Sequence, residues 1–530
     1  MRRAPAFAVI ALLACVAAAR AARSESDVGG KNVADPGTAT GVDAGVGTDG
    51  STPAPGAGRP SGADADAGAP PVGEGPGLFE QGGAAAGGAG TSPAAAGSTS
   101  VPFTLTGYMR GDMFVGKVSG ENAAELKAGT GELDLTLRTA KEPYGDGFAE
   151  ARIRYGLQGD QQQTTVLDLR EAYVNTYLGP VDLRLGQQII VWGRADALNP
   201  TNNLTPVDFR IRSPLEDDIR VGNAGARAFA RFAPFRLEGV WMPIYLPTEL
   251  PAVALPQYVS YGAPVFPSLN LKNGTEAARL HLELPSVEMS VSYLYGYAPL
   301  PGLTMTGLTL TADAMGNPGT APPSLVVSRT AYDQQVFGFD FSTALGDVLT
   351  LRGEAAYRKP FDYQSRIYAA YPDLQYVVGA DHTFGPLSVI AQYMGRYVFD
   401  WQKQNGPAMS LDTSILPMEQ MTDAPFVSNI VNAQLAKTNQ ILFSQTARVQ
   451  HLATLRFEWL AAHDALSISS LCMLNFTTHE WLLTPRIGYR LSDALSTYLG
   501  AQIFHGPQDT LFGLIDADLS AGYAELRYTF

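Results

Sequence analysis

From Phe103 to the end of the chain, apolar and polar side chains alternate with a period of two. In ELDLTLR (132–138), three leucines lie on one face, and acidic, hydroxyl and basic side chains lie on the other. EARIRYGL (150–157) and TARVQHLATLRFEW (446–459) repeat the alternation. Alternation over about ten residues predicts β-strands whose two faces meet different environments.

The connections between these strands alternate in length. Tight links such as LGP, AP, GD and GP are followed by long ones at 193–223, 246–274, 298–331 and 401–443. Short turns at one end and long loops at the other are typical of outer-membrane barrels, whereas a soluble sandwich has no reason to segregate its loops. Because a bilayer tolerates no open sheet edge, we predict an all-β fold: a transmembrane antiparallel β-barrel of about 18 strands, within a range of roughly 16–20, over residues 103–530.

The first 102 residues have a different character. Residues 1–22 match a signal peptide, with basic residues before an apolar run and an A-x-A cleavage site. The rival processing site is LLAC, a lipobox match in which Cys15 is acylated. Residues 23–102 are rich in Ala, Gly, Pro and Asp with a single aromatic, Phe79, so we expect a disordered periplasmic linker.

Composition excludes several functions. The formal net charge is −14 without a basic patch, which argues against nucleic-acid binding. Six histidines are scattered singly and two cysteines stand far apart, so we expect no metal site and no cofactor. Neither a phosphate-binding loop nor a G-x-S-x-G motif occurs. We expect no enzyme; a barrel-embedded hydrolase, with His463 near Ser467 as its local candidate pair, is the least favoured alternative.

The last strand carries a targeting signature. AGYAELRYTF (521–530) alternates and ends on Phe530, and it resembles the C-terminal strand signal of bacterial outer-membrane barrels, in which Tyr528 and Phe530 are the signal residues. The resemblance implies the outer membrane of a Gram-negative bacterium, with outer-membrane lipid and the barrel-assembly machinery as partners. It also implies a periplasmic C-terminus and external long loops. The acidic linker is a candidate contact for a periplasmic partner, and both a monomer and a trimer remain open.

The third external loop, residues 193–223, and the strands before it resemble known barrels more specifically. LREAYVNTYLGPVDLRLGQQ (169–188) resembles a porin strand pair. RLGQQIIVWGRADALNPTNNLTPVDFR (184–210) resembles an uncharacterised group of large proteobacterial barrels that carry L-G-x-Q-x-x-x-W-G-x-x-D-x-x-N-P-x-x-x-x-x-P-x-D. That resemblance implies passage of hydrophobic or bulky compounds, and the porin likeness implies a loop that narrows the lumen.

The charges of this loop are the candidate site. A ring of fixed charges selects permeants by field and size, but internal ion pairs that merely hold the loop would need the same residues. The candidate constriction residues are Trp192, Arg194, Asp196, Asp208, Arg210, Arg212, Glu216, Asp217, Asp218 and Arg220. Strand register predicts a lumen face of both signs that includes Arg152, Arg154, Arg184, Arg352, Glu354, Arg448 and Arg456.

Two features complicate the predicted barrel: two polar residues on the lipid face and one long link. Glu171 and Gln187 fall on the predicted lipid face, which indicates a bulge or an error of register. The link 401–443 is a surface loop, a helical lid or an inward plug. We therefore predict an outer-membrane channel or transporter for solutes, with a structural tethering barrel as the alternative.

Overall fold

The computed structural model describes residues 103–117, 123–140, 144–158, 162–251, 258–310, 323–346, 349–404 and 423–530. The predicted signal peptide, its Cys15 and the linker over 23–102 lie outside the described residues. None of the helices in these ranges is long and apolar enough to cross a membrane.

Eighteen strands form one sheet. The first nine are β1 (Phe103–Lys117), β2 (Ala124–Thr139), β3 (Gly145–Gln158), β4 (Gln162–Leu178), β5 (Val181–Gln188), β6 (Asn223–Phe232), β7 (Phe235–Met242), β9 (Thr275–Glu283) and β10 (Val287–Tyr297). The other nine are β13 (Asp333–Leu345), β14 (Leu349–Pro360), β15 (Asp373–Phe384), β16 (Leu387–Val398), β17 (Val449–Ala461), β18 (Leu466–Asn475), β19 (Glu480–Arg490), β20 (Leu495–His505) and β21 (Ala521–Thr529).

The sheet closes on itself. Each of these strands pairs antiparallel with its neighbour in sequence, and β1 also pairs with β21 from Tyr108 opposite Thr529 to Gly116 opposite Ala521. The predicted 18-stranded antiparallel barrel is therefore confirmed. Tight turns such as 179–180 and 385–386 lie at one end of the barrel, called the turn end here. The start of β1 and the end of β21 also lie at the turn end. The long connections lie at the opposite end, called the loop end.

The two faces of the barrel wall reverse the usual polarity of a soluble protein. On β1, Met109 and Met113 are each 54% exposed, whereas Arg110 and Asp112 between them are 4% and 5% exposed. Because the sheet is closed, the buried face is the interior and the exposed face is the outer surface. An apolar outer face and a polar interior are what a bilayer-spanning barrel requires.

A bulge in β4 resolves the misplaced charge predicted from sequence. Glu150 of β3 lies opposite Glu171 and the next residue, Ala151, lies opposite Leu169, so Arg170 is the extra residue. The extra residue turns Glu171 away from the outer face. The Glu171 carboxylate then accepts a hydrogen bond from the Ile189 amide at 2.8 Å.

A small second structure lies at the loop end. Strands β8 (Val259–Tyr261), β11 (Gly302–Thr309) and β12 (Ser324–Thr330) form a three-stranded sheet. Helix α1 (Ala424–Leu442) packs on it with its fully buried side chains Val427, Val431 and Leu435. The described part of the link 401–443 is thus mainly a helix. A second helix, α2 (Leu511–Leu519), precedes β21.

Candidate functional site

The chain leaves the barrel wall after Gln188 and does not return to it as a strand until Asn223. We call residues 189–222 the inner loop. Its apolar side chains Ile190, Trp192 and Leu204 are 1%, 1% and 3% exposed. They form one buried cluster with Val240, Met242, Ala277, Leu294, Val336 and Ala356 from the inner face of β7, β9, β10, β13 and β14. Burial of these apolar groups folds the first part of the loop against that wall.

Trp192 is fixed by a polar contact as well as by packing. Its indole Nε1 donates to Glu238 Oε1 at 3.0 Å, and the Arg279 guanidinium lies 5.6 Å from its ring centroid. Glu238 also pairs with Arg227 at 2.7 Å. A buried indole N–H needs an acceptor, so this carboxylate sets the orientation of the ring.

Glu354 of β14 organises the start of the loop. Its carboxylate accepts hydrogen bonds from the backbone amides of Arg194 and Ala195 and from the Thr201 hydroxyl, the last at 3.0 Å. Gly193 has a φ of +107°, and a Cβ at that position would collide with Asn199 and Glu354. A glycine is therefore required where the loop turns past this carboxylate.

The charged side chains that follow reach strands far apart in the barrel. Arg194 pairs with Asp340 of β13 at 2.8 Å and with Glu288 of β10 at 2.7 Å. Asp196 accepts from Arg456 of β17 at 2.6 Å. The first part of the loop is thereby tied to the wall from β10 to β17.

The second part of the loop is tied to the opposite side. Asp218 pairs with Arg110 of β1 at 2.6 Å and with Arg152 of β3 at 2.7 Å. Burial alone would raise the pKa of Asp218, but the two guanidinium groups outweigh it and hold the pKa far below its usual range. Asp218 is therefore ionised at neutral pH and 3% exposed.

The bulged residue Arg170 reinforces this attachment. Its guanidinium donates to the Asp217 carboxylate at 3.0 Å and to the Asp218 carbonyl at 3.2 Å, and it pairs with Glu150 at 2.9 Å. The bulge therefore presents one more cation to the loop than the regular alternation of β4 would supply.

The remaining candidate residues of the loop bind within the loop or at its rim. Asp208 pairs with Arg210 at 2.7 Å, and the Arg210 side chain is 55% exposed. Arg220 pairs with Glu216 at 3.3 Å and with Asp217. Arg212 donates to backbone carbonyls at the C-terminal end of α2, including that of Leu519 at 3.0 Å.

The predicted lumen-facing residues lie as follows. Arg152, Arg154 and Glu354 are buried on the inner face. Arg352 pairs with Asp381 at 3.0 Å, and Arg184 donates to Asn175 at 2.9 Å.

Arg448 corrects the prediction. It precedes β17, is exposed, and donates to the hydroxyl of Tyr397 at 2.7 Å. The strand begins at Val449, three residues after the start of the predicted alternation at Thr446, so Arg448 lies at the rim instead of in the lumen.

Sequence reasoning missed several residues that hold the loop. Arg110, Asp340 and Glu288 alternate with apolar residues in their strands, and that signal was available. Arg170 could not be found this way because the bulge shifts its register. Elsewhere in the described chain, Cys472 is exposed and carries a free thiol, and His463 lies in a turn with Ser467 in the following strand.

These features define the class of the molecule: a closed 18-stranded barrel with a charged interior and an inward-folded loop. A family model described as "Protein of unknown function (DUF1302)" matches residues 2–217. No curated protein matches the chain.

Among solved structures, the chain is similar to OccK8 (OprE) of Pseudomonas aeruginosa, with 9% identity, a TM-score of 0.48, and 81% of this chain and 98% of that chain covered. It is also similar to a BenF-like porin from Pseudomonas fluorescens Pf-5, with 10% identity, a TM-score of 0.46, and the same coverage.

Proposed function

We propose that the protein is an outer-membrane channel of a Gram-negative bacterium, which passes solutes through a lumen constricted by the inner loop. The apolar outer face and the polar interior support placement in a bilayer. An 18-stranded barrel is wide enough to enclose an aqueous passage.

The observation that carries the proposal is how the inner loop is attached. Arg194 and Asp196 bind β10, β13 and β17, while Asp218 binds β1 and β3 on the other side of the ring. A segment attached to both sides of a closed wall must cross the space between them. The loop therefore sets the narrowest part of the passage.

The charges around this passage have both signs. Arg194 and Asp196 lie two positions apart, and their partners are two carboxylates and one guanidinium. Compensated charges give a weak net field, so the channel discriminates among ions weakly and among solutes mainly by size and shape.

Single-channel conductance of the refolded protein in planar bilayers tests the proposal. A variant with Arg194→Ala and Asp196→Ala removes one cationic and one anionic side chain that pair with the wall of the barrel. We expect stable conductance in the wild type and a larger or altered conductance in the variant, because the first part of the loop loses its ion pairs with β10, β13 and β17.

The same loop offers a matched control. Asp208→Ala with Arg210→Ala also removes one cation and one anion, but both partners lie within the loop and the Arg210 side chain is 55% exposed. We expect wild-type conductance from it. Absence of conductance in the wild type would contradict the channel, and equal changes in both double variants would contradict the assignment of the constriction.

A further inference from the structure

The described wall of the barrel is interrupted beside the first half of β4. On its β5 side, β4 is paired only from Ala172 to Leu178, opposite Gln187 to Val181. Residues 163–171 of β4 continue toward the loop end, and no described strand pairs with them on that side. β5 has ended by then, because the chain has turned inward as the inner loop.

The last residues of the inner loop meet this edge of β4 at Arg170. A Cβ on Gly222 would collide with the Arg170 carbonyl, so this part of the loop runs directly against β4. Side chains make the contacts here: Arg170 binds Asp217 of the inner loop, and the Gln187 amide at the end of β5 donates to the Leu169 carbonyl. We call the boundary between residues 163–171 of β4 and residues 217–222 of the inner loop the seam. It is closed by side-chain contacts, and a ladder of backbone hydrogen bonds does not cross it.

The outer edge of the seam is apolar. Leu167 and Leu169 are 74% and 45% exposed on the outer face of β4. The seam begins seven residues from the turn end of β4, which corresponds to a height of about 16 Å for a strand tilted by roughly 45°. Because the apolar band of such barrels is about 25 Å tall, the lower part of the seam lies within its outer half.

The inner edge of the seam is polar. Asp168 lies opposite the inward-facing Arg152, and Arg170 binds the inner loop. One boundary thus joins an apolar outer surface to the charged interior. It can open by displacement of a loop segment, without the loss of ladder hydrogen bonds that makes separation of paired strands so unfavourable in lipid.

We propose that the seam is a lateral portal, through which an apolar or amphiphilic molecule moves between the barrel interior and the outer leaflet. This inference rests on the proposed channel and specifies a substrate class for it. The apolar part of the molecule passes Leu167 and Leu169, and a polar head group meets the charges of Asp168 and Arg170.

Site-directed thiol labelling tests the portal. In the full chain with Cys15→Ser and Cys472→Ser, Asp168→Cys places a thiol on the inner side of the seam. The refolded variant is placed in liposomes and exposed to a hexadecyl maleimide dissolved in the lipid or to a small water-soluble maleimide. Glu458→Cys is the matched control, because Glu458 is a half-buried carboxylate on β17, away from the seam.

We expect the ratio of lipid-borne to water-borne labelling to be at least tenfold higher for Asp168→Cys than for Glu458→Cys. Thr164→Cys lies on the same edge of β4 and replaces Asp168→Cys as the labelling site if that variant does not fold. Equal ratios in a protein that conducts would overturn the portal and leave the channel standing. A wild-type protein that does not conduct would overturn the channel, and the portal with it.

Discussion

At the scale of single residues, Asp218 is the buried acid through which the inner loop binds two arginines of the wall. It is 3% exposed and accepts from both Arg110 and Arg152. Asp218→Asn would remove the anion that Arg110 and Arg152 share, while Glu132 and Asp134 still pair with them, so we expect a cost of about 1–3 kcal/mol. We expect the refolded barrel to unfold at a lower temperature, as measured by the shift from the folded to the unfolded band in gels of heated samples.

The chain supplies a control for this substitution. Asp208→Asn makes the same chemical change in the same loop, but its partner Arg210 is 55% exposed, and exposed pairs contribute about 1 kcal/mol or less. An unfolding temperature lowered equally by both substitutions would contradict the role given to Asp218.

The pH dependence of this difference follows from the lowered pKa of Asp218. A carboxylate whose pKa is depressed on folding stabilises the folded state fully above its unfolded pKa of about 3.9, and this stabilisation is lost as the pH falls toward the folded pKa. The difference between wild type and Asp218→Asn should stay constant from about pH 8 to pH 5 and shrink below pH 4. A difference that disappears near pH 6 would be inconsistent with it.

At the scale of elements, helix α1 depends on one apolar face. Val431 is fully buried against the small sheet, and the Asn439 side chain binds the Leu303 backbone at 2.8 Å. Val431→Asp would bury a charge without a partner, which is strongly unfavourable. We expect hydrogen exchange to accelerate in α1 and to remain slow in β17, since the barrel ladder does not depend on the helix.

Asn429→Asp introduces the same side chain on the exposed face of α1 and should leave exchange unchanged. Faster exchange in β17 of the Val431→Asp variant would contradict the independence of the two parts.

The elements also show what the sequence can and cannot predict. Strands such as β10 were predictable because successive side chains face the lipid and the lumen in turn, and this produces a period of two in the sequence. The small sheet and α2 were not predicted, because they lie outside the wall and their contacts impose no such period. The attachments of the inner loop were beyond sequence reasoning for a different reason. Asp196 and Arg456 are separated by 260 positions, and the sequence around either residue does not predict that the two will pair.

At the scale of the whole molecule, Phe530 lies at the joint that closes the ring. Phe530 donates to the Gly107 carbonyl at 2.9 Å and accepts from the Gly107 amide at 3.0 Å, which extends the joint between β1 and β21. Phe530→Ala retains this backbone pair and removes only the ring, whereas deletion of Phe530 removes both. We expect the deletion to lower the yield of the folded band during unassisted refolding in detergent, and the substitution to lower it much less.

Equal refolding yields for the deletion and the wild type would show that the joint does not need this pair. A loss of assembly in cells for Phe530→Ala, with normal refolding in detergent, would instead assign the ring to recognition by the assembly machinery.

The unequal strand lengths affect the membrane as well as the protein. β1 to β4 have 14 to 17 residues, whereas β5, β7 and β9 have eight, eight and nine. A spanning strand needs about 9–11 residues, so one side of the barrel offers lipid a shorter apolar surface than the other. Lipids beside the short side must compress to match it. The thinnest patch of bilayer would then adjoin the seam, and local packing defects there would bring lipid-dissolved molecules to that side of the protein.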